Sequence, residues 1–334
     1  MTAEAFTGFS GTYIYVRGRQ LEGTFSDDPS IGMWGISGCR IARGWGIAPR
    51  NLFPVPKEWP PVEPPGLDAA AKKNRILLYQ RVRSANEAIQ CLAEHGAVSS
   101  SFEITEQWFD APDGMITIPK HGDEFIGSHA ITLVGFDRQK RAFRFANSWG
   151  TEWGDTGFGY LPLDYFEPYF LEAWVNRGFR DHIPVEPVDS AQLIEGGLPD
   201  ALSNGLIHLV EMYDSRYDER MGWAFALERD DYLDIEEFFV KPQYRNKGIG
   251  RDIANALVKR GRDLGRPLRL WISHADASNV NTIPFQSILR TLGLNSVREA
   301  PNRWATYVAT AGDETSPASI TNTPPTWFTP KFDK

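Results

Sequence analysis

Two groups of residues in this sequence have the types that chemistry needs. The first is His129 with Asn147, in the run "SHAITLVGFDRQKRAFRFANSWGTEWGDTGFG" from Ser128 to Gly159. A thiolate nucleophile needs an imidazole base beside it and a side-chain oxygen that orients the imidazole. His129 and Asn147 are those two types. The second group lies in "YLDIEEFFVKPQYRNKGIGRDIANALVKRG", residues 232–261. A strand pattern runs into Arg245-Asn246-Lys247-Gly248-Ile249-Gly250-Arg251 and on into a helix. Glycines there let a ligand approach backbone closely. A helix N-terminus with free N–H groups favours a pyrophosphate. Glu236 and Glu237 stand just upstream, and a carboxylate beside a reacting amine can take its proton.

The elements that must position these residues read as follows. Residues 9–22 form a helix or a strand with an aromatic face, and 30–46 has helical spacing that stops at glycine. "VPKEWPPVEPPG" (55–66) is an extended surface loop, because proline removes backbone donors. Ser84 caps a helix over 84–96, with Glu87 three residues on and Gly96 ending it. "AVSSSFEI", "HAITLVGFD" and "RAFRFANSW" read as strands. The Pro/Asp/Gly-rich stretch from about 180 to 204 reads as a junction. Beyond it come three strands, the glycine loop, an amphipathic helix, a strand, a helix over 281–292, and two short strands at 295–299 and 303–309. The tail from 313 to 334 is polar and Pro/Thr-rich, a composition that favours disorder.

The bulk numbers bound the class. A length of 334 residues suggests two domains, and 42 % hydrophobic residues suffice for buried cores. The net charge of −8 argues against nucleic acid as a partner, since phosphate contact needs a basic face. Two cysteines, Cys39 and Cys91, cannot build a disulfide framework, which suits a reducing compartment. No apolar run approaches the length of a membrane span, and no signal peptide is evident. The expectation is a cytoplasmic protein with no membrane contact and no metal site.

The first group resembles the C-terminal lobe of papain-like (C1 family) cysteine peptidases. "HAITLVGF" and "NSWGTEWGDTGFG" match the family's histidine and asparagine motifs, and Trp149 and Trp153 match the tryptophans that shield its His–Asn bond. "YIYVRGRQLEGT", "GWGIAPRNLFP" and "AIQCLAEHGAVSSSFEI" look like the segments between catalytic helix and histidine in bacterial members. The likeness covers roughly 9–176. In such enzymes the nucleophile lies roughly 130–150 residues before the histidine. Counting back from His129 falls before Met1, and no Cys-Gly-Ser-Cys-Trp motif is present. Cys39 and Cys91 read as small buried hydrophobes. The resemblance therefore implies a papain-like domain without its thiol-bearing segment. Such a domain is a scaffold or binding module, or is completed by another polypeptide, or has a recorded start too late in the reading frame. An uncovered apolar face would accept a partner chain.

The second group resembles the acetyl-CoA signature of GNAT-type N-acetyltransferases, over about 205–310. The resemblance implies that residues 245–251 cradle the CoA pyrophosphate. It implies that the Phe239 and Val240 backbone pairs with the pantetheine arm, and that Asn281 sits near the family's CoA-contacting asparagine. "IEEFFV" is similar to the "LEDFFV" strand of polyamine and small-amine acetyltransferases, which maps the base onto Glu236. Strand alternation sends Glu237 to the opposite face. The tyrosine that commonly protonates the leaving thiolate is replaced by Leu289, with Tyr307 or Ser287 as substitutes. The first strand and two helices that usually build the acceptor pocket are short or absent, and the papain-like domain is the candidate wall.

Between Glu211 and Glu237 stand ten acids (Glu211, Asp214, Asp218, Glu219, Glu228, Asp230, Asp231, Asp234, Glu236, Glu237) and three arginines (Arg216, Arg220, Arg229). An acidic rim of this kind steers a cationic amine. The expected class is α+β. It consists of an incomplete papain-like domain over 1–180, a linker over 181–204, a GNAT-type domain over 205–312 with a mixed, mostly antiparallel sheet, and a tail. The expected activity is acetyl-CoA-dependent N-acetylation of an amine on a lysine, a peptide N-terminus or a polyamine. The alternatives are a peptidase whose nucleophile comes from another chain, and a non-catalytic assembly protein.

Overall fold

A computed structural model describes residues 8–179, 190–200, 202, 205–301 and 303–311. The tail from 313 to 334, expected to be disordered, lies outside the described residues, as does most of the junction. The N-terminal part runs α1 (Gly11–Glu22), α2 (Gly35–Gly44), α3 (Leu67–Ala71), β1 (Ile76–Val82), α4 (Ala85–Glu94), β2 (Val98–Thr105), β3 (Phe125–Asp137), β4 (Ala142–Ala146), β5 (Phe158–Pro162), α5 (Leu163–Tyr169) and β6 (Phe170–Phe179). Its six strands form one antiparallel sheet in the order β1-β6-β2-β3-β4-β5. The C-terminal part runs β7 (Gln192–Pro199), β8 (Leu206–Asp214), β9 (Glu219–Glu228), β10 (Leu233–Val240), α6 (Ile249–Leu264), β11 (Leu268–Ile272), α7 (Ile283–Leu292), β12 (Ser296–Glu299) and β13 (Tyr307–Thr310). Its sheet has the order β12-β13-β11-β10-β9-β8-β7 and is antiparallel except for β10 beside β11. The class is α+β.

Local chemistry explains most boundaries. Residues 9–22 resolve to helix α1, where Ser10 Oγ accepts from Tyr13 N and Gly23 closes the end at φ +72°. In α4, Ser84 Oγ accepts from Glu87 N at 3.2 Å, while the Glu87 carboxylate reaches back to Arg83 N at 2.7 Å. Helix α2 has no side-chain cap of its own. Its first N–H groups, on Gly35 and Ile36, donate instead to Glu172 of β6. That cap is tertiary and has no local sequence signature.

Part of the junction is structured. Residues 192–199 form β7, the edge strand of the C-terminal sheet, so the 181–204 linker does not extend across them. Residues 200–205 alone separate β7 from β8, which leaves no length for helices between the first two strands. Helices α6 and α7 pack together on one face of the sheet, over Val210, Ala224, Ile235 and Leu270. The other face, with Ile207, Leu209, Trp223, Phe225 and Phe239, is covered by α2 and β1 through Ile36, Cys39, Ala42, Leu78 and Tyr79. The N-terminal part thus occupies the face left open by the short β7–β8 connection, and both parts share one apolar core.

Candidate functional site

Strand β10 builds the centre of the C-terminal site. It pairs with β11 only over Leu233–Ile235 against Leu268–Leu270, while its pairing with β9 continues to Val240. The two parallel strands therefore splay, and the backbone from Glu236 to Val240 faces an open slot. The slot is part of a cleft of about 560 Å³ that runs to the loop before α6. Val240, Arg245, Asn246, Gly248, Gly250 and Arg251 line it. Asn246 and Gly248 adopt positive φ (61° and 87°), which turns the chain so that α6 opens towards the cleft. A side chain at Gly250 would meet Ile288 of α7 at 3.0 Å. Arg245 Nε donates to Val240 O at 3.1 Å, tying the loop to the splayed strand, and burial lowers the Arg245 pKa.

Three of the expected ligand residues are not among those lining the cleft. The Ile249 side chain enters the core beneath the sheet. The Lys247 ammonium lies over the Tyr244 ring, 5.5 Å from its centroid. Asn281 sits in the turn before α7 and does not line the cleft; Asn279 and Thr282, on either side of it, do. The helix starts later than its apolar pattern suggests, and this shifts the register. Of the candidate acids for the leaving group, Ser287 lines the cleft, whereas Tyr307 belongs to the core under α6 and α7.

Glu237 overturns the alternation argument. The register of β10 against β9 shifts between Ile235 and Glu237. Glu236 is the extra residue of a β-bulge, and a bulge suspends the period of two. Both carboxylates consequently face the N-terminal part, and both are buried. Glu236 Oε1 accepts from Arg83 Nη2, and Arg81 Nε stands 3.6 Å from Oε2. Glu236 Oε2 itself accepts no hydrogen bond. Glu237 accepts from Arg40 Nη2 at 2.8 Å and from Tyr79 OH at 3.0 Å. Arg40 also forks onto Asp276, at 2.6 and 3.1 Å. Burial would raise the Asp276 pKa, but the Arg40 guanidinium and the Ser273 hydroxyl outweigh it and hold the carboxyl below its ordinary value. Burial and the Glu237 charge push the Tyr79 hydroxyl well up, so it stays a donor.

Arg40, Tyr79, Arg81 and Arg83 were not singled out from sequence. A signal existed in "ILLYQRVR", where Tyr79, Arg81 and Arg83 alternate in a strand pattern whose remaining residues, Gln80 apart, are apolar. Arginines at core-facing positions call for buried acids opposite.

The acidic rim is mostly internal. Glu211 pairs with Arg43 and Arg220, Asp214 with Arg216, Asp218 with Arg75, Glu219 with Lys241, Glu228 with His208 and Arg266, and Asp234 with Arg269. Glu236 and Glu237 are paired as above. Among the described residues only Asp230 and Asp231 of the ten form no ion pair.

The other group is assembled too. His129 Nε2 and Asn147 Oδ1 are 2.8 Å apart. Trp149 stacks on the His129 ring at 4.5 Å and Trp108 meets it edge-on at 6.2 Å. Trp153 braces Trp149 perpendicularly and donates its Nε1 to Trp108 O. Burial lowers the His129 pKa, and the bond to Asn147 partly offsets this. Neither cysteine hydrogen-bonds with His129. Cys39 lies in the shared core and reaches Asn176 Oδ1 at 3.7 Å, and burial raises its pKa well above the ordinary value. Cys91 is enclosed in α4, and burial pushes it up to about 12. Phe109, Phe125 and Ile126 are exposed.

Among the described residues no group of side chains has the composition of a metal site, and no helix is long and apolar enough to cross a membrane.

Comparison with known proteins finds two families in the chain. The model of the papain family of cysteine proteases matches residues 67–165, and that of the GNAT acetyltransferase family matches 168–286. An uncharacterised peptidase C1-like protein of Acanthamoeba polyphaga mimivirus is 28 % identical over 190 residues, covering 52 % of this chain and 60 % of its own length. A cathepsin B-like cysteine proteinase of Caenorhabditis elegans is 30 % identical over 115 residues, 33 % of this chain and 30 % of the relative. The chain thus spans less than two thirds of these relatives. The crystal structure of xylellain, a cysteine protease from Xylella fastidiosa, aligns with a TM-score of 0.47 at 26 % identity, over 52 % of this chain and 70 % of that one. The chain thus carries, one after the other, a stretch matched by the papain family and a stretch matched by the GNAT acetyltransferase family.

Proposed function

We propose that the chain is an acetyl-CoA-dependent N-acetyltransferase acting on a primary amine, with the papain-like part as recognition or partner-binding module. The observation that carries this is the slot between β10 and β11, continuous with the Arg245–Arg251 loop at the start of α6. Backbone N–H and C=O groups from Glu236 to Val240 suit an extended amide-bearing arm. Arg245, Arg251 and the α6 N-terminus suit a pyrophosphate. The Glu236 carboxylate holds the acceptor ammonium through Oε2 and takes one proton from it, and the lone pair so freed on the neutral amine attacks the thioester carbonyl carbon. The carbon–sulfur bond then breaks, and the second proton lost by the nitrogen reaches the leaving sulfur through the Ser287 hydroxyl or a solvent molecule, which is reprotonated in the same relay. Positioning both substrates in one cleft contributes most of the remaining rate.

Isothermal calorimetry with acetyl-CoA tests the reading. We expect micromolar binding by the wild type, lost in Gly248→Trp and weakened in Arg251→Glu. No heat from folded wild-type protein overturns it. In the same reading the papain-like part does not hydrolyse peptides unaided, since its thiols are buried and neither hydrogen-bonds the imidazole. The protein is placed in the cytoplasm, where two free thiols persist.

A second reading draws on one observation. The His129–Asn147 pair is intact beside exposed Phe109, Phe125 and Ile126. A partner chain that covers this face and supplies a thiol would restore a peptidase. Peptidase activity that appears only on adding such a chain, and disappears in His129→Ala, would favour it.

A further inference from the structure

We propose that Arg40, carried by the papain-like part, is a positioning residue for acetyl transfer: its guanidinium fixes the width of the slot that the thioester arm enters. This rests on the acetyltransferase reading and adds that the slot is a joint product of the two domains. Among the described residues that line the cleft, Arg40 is the one that comes from the N-terminal part.

The backbone pairing of β10 with β11 ends at Ile235 and Leu270. Past that point the ladder no longer sets the distance between the two banks of the slot. Glu237 stands on one bank, two residues beyond the last pair. Asp276 stands on the other, in the turn that follows β11. The Arg40 guanidinium lies between them. Its Nη2 donates to Glu237 Oε1 at 2.8 Å and to Asp276 Oδ2 at 2.6 Å. Its Nε reaches Glu237 Oε2 at 3.4 Å, and its Nη1 reaches Asp276 Oδ1 at 3.1 Å. One planar fork therefore offers one edge to each bank. The guanidinium carbon also lies 4.7 Å from the ring centroid of Phe239, whose backbone faces the slot.

Arg40 is 4 % exposed and stands midway along a helix anchored at both ends. Glu172 holds the first turn of α2, and Gly44 at the other end abuts Trp223. The bridge is thus held from the papain-like part. Two carboxylates on opposite banks repel, and the guanidinium between them converts the repulsion into a tie. The geometry calls for arginine. A lysine ammonium carries the same charge as a single point and cannot meet two carboxylates edge-on at once. Glu237 keeps Tyr79 OH as a second donor, and Asp276 keeps Ser273 Oγ, but neither of these spans the slot. Arg40 makes no hydrogen bond to the Arg245–Arg251 loop that suits the pyrophosphate.

The test separates the arm from the nucleotide. Calorimetry measures acetyl-CoA and adenosine 3′-phosphate 5′-diphosphate, which has the pyrophosphate but no arm. Both are titrated into wild type, Arg40→Lys and Arg43→Lys. Arg43 lies on the same helix, is buried against Glu211 and does not line the cleft, so its variant reports a loosened interface alone. We expect Arg40→Lys to bind acetyl-CoA on the order of tenfold more weakly, the size of one lost charge-assisted hydrogen bond, with nucleotide affinity held within about twofold. Arg43→Lys should bind both ligands as the wild type does. If circular dichroism shows Arg40→Lys unfolded, Asp276→Asn replaces it, since that half-buried side chain releases one bank and leaves the Arg40–Glu237 pair in place. The same selective loss is expected there. Unchanged acetyl-CoA affinity in the folded variant overturns the proposal. So does an equal loss for both ligands, or a matching loss in Arg43→Lys, because Arg40 would then act through packing alone. Wild-type protein that does not bind acetyl-CoA overturns the underlying reading instead, and the proposal falls with it.

Discussion

At the scale of residues, the cleft is organised by arginines that cross from one domain to the carboxylates of the other. Glu236 and Glu237 are buried acids, Asp276 is half-buried beside them, and Arg40, Arg81 and Arg83 are their counter-charges. Replacing both members of such a pair with apolar groups can be nearly neutral, but removing one strands a buried charge. Arg40→Ala should therefore cost about 3–5 kcal/mol, read as a lower urea midpoint with an unchanged m-value. At the other site, the Asn147 hydrogen bond raises the His129 pKa against burial, which lowers it below 6.5. NMR titration should place His129 below a reference histidine, and Asn147→Ala should move it lower still. An upward move in the variant would show that the Asn147 bond favours the neutral ring instead.

At the scale of elements, α2 is the piece on which the assembly turns. Its N-terminus is capped by Glu172 of β6. Its C-terminal Gly44 lies against the other sheet, where a Cβ would meet Trp223 Cη2 at 2.8 Å and Lys241 Cε at 3.0 Å. Lys241 Nζ donates to Gly44 O at 2.8 Å and pairs with Glu219, and burial depresses its pKa to about 8. Overpacking at such a contact costs about 1–3 kcal/mol. Gly44→Val should lower the melting temperature accordingly, with Trp223 fluorescence reporting the displaced contact. Retained stability would mean that α2 can slide away from the sheet without penalty.

At the scale of the whole molecule, the two domains behave as one folding unit. The loop before β13 inserts into the papain-like core through Trp304 and Ala305, and His274 fastens it. His274 Nδ1 meets Thr306 Oγ1 at 2.7 Å and Nε2 meets Arg303 O at 2.8 Å. Burial pushes the His274 pKa down to about 4, against 6.5 unfolded. The unfolded chain binds the extra proton between these values, so stability falls as pH drops through that window, by about 3 kcal/mol in all. Thermal melts from pH 7 to 4 should show this slope, and His274→Gln should flatten it. A fragment of residues 190–311 would expose the Trp223–Phe225–Phe239 face and take the guanidinium partners from Glu236, Glu237 and Asp276. It should be insoluble or molten, as judged by circular dichroism and dye binding, and a cooperative melt of the fragment would refute the shared core.

The sequence by itself determined what depends on local pattern. Histidine, asparagine and two tryptophans at fixed spacing placed the first site, and a strand, a glycine turn and an amphipathic helix placed the second. Apolar periodicity and capping residues marked most helices and strands, because backbone geometry and side-chain period are set by neighbours along the chain. The face of Glu237 was decided by a bulge, which one strand adopts only against its partner. The identity of the lining asparagine was decided by where α7 starts. The cap on α2 and the guanidinium wall of the cleft were decided by residues more than a hundred positions apart, and the rim was neutralised by partners brought beside it in the packed sheet. Charge pairing and burial between such residues are properties of the packed chain, and no local spacing encodes them.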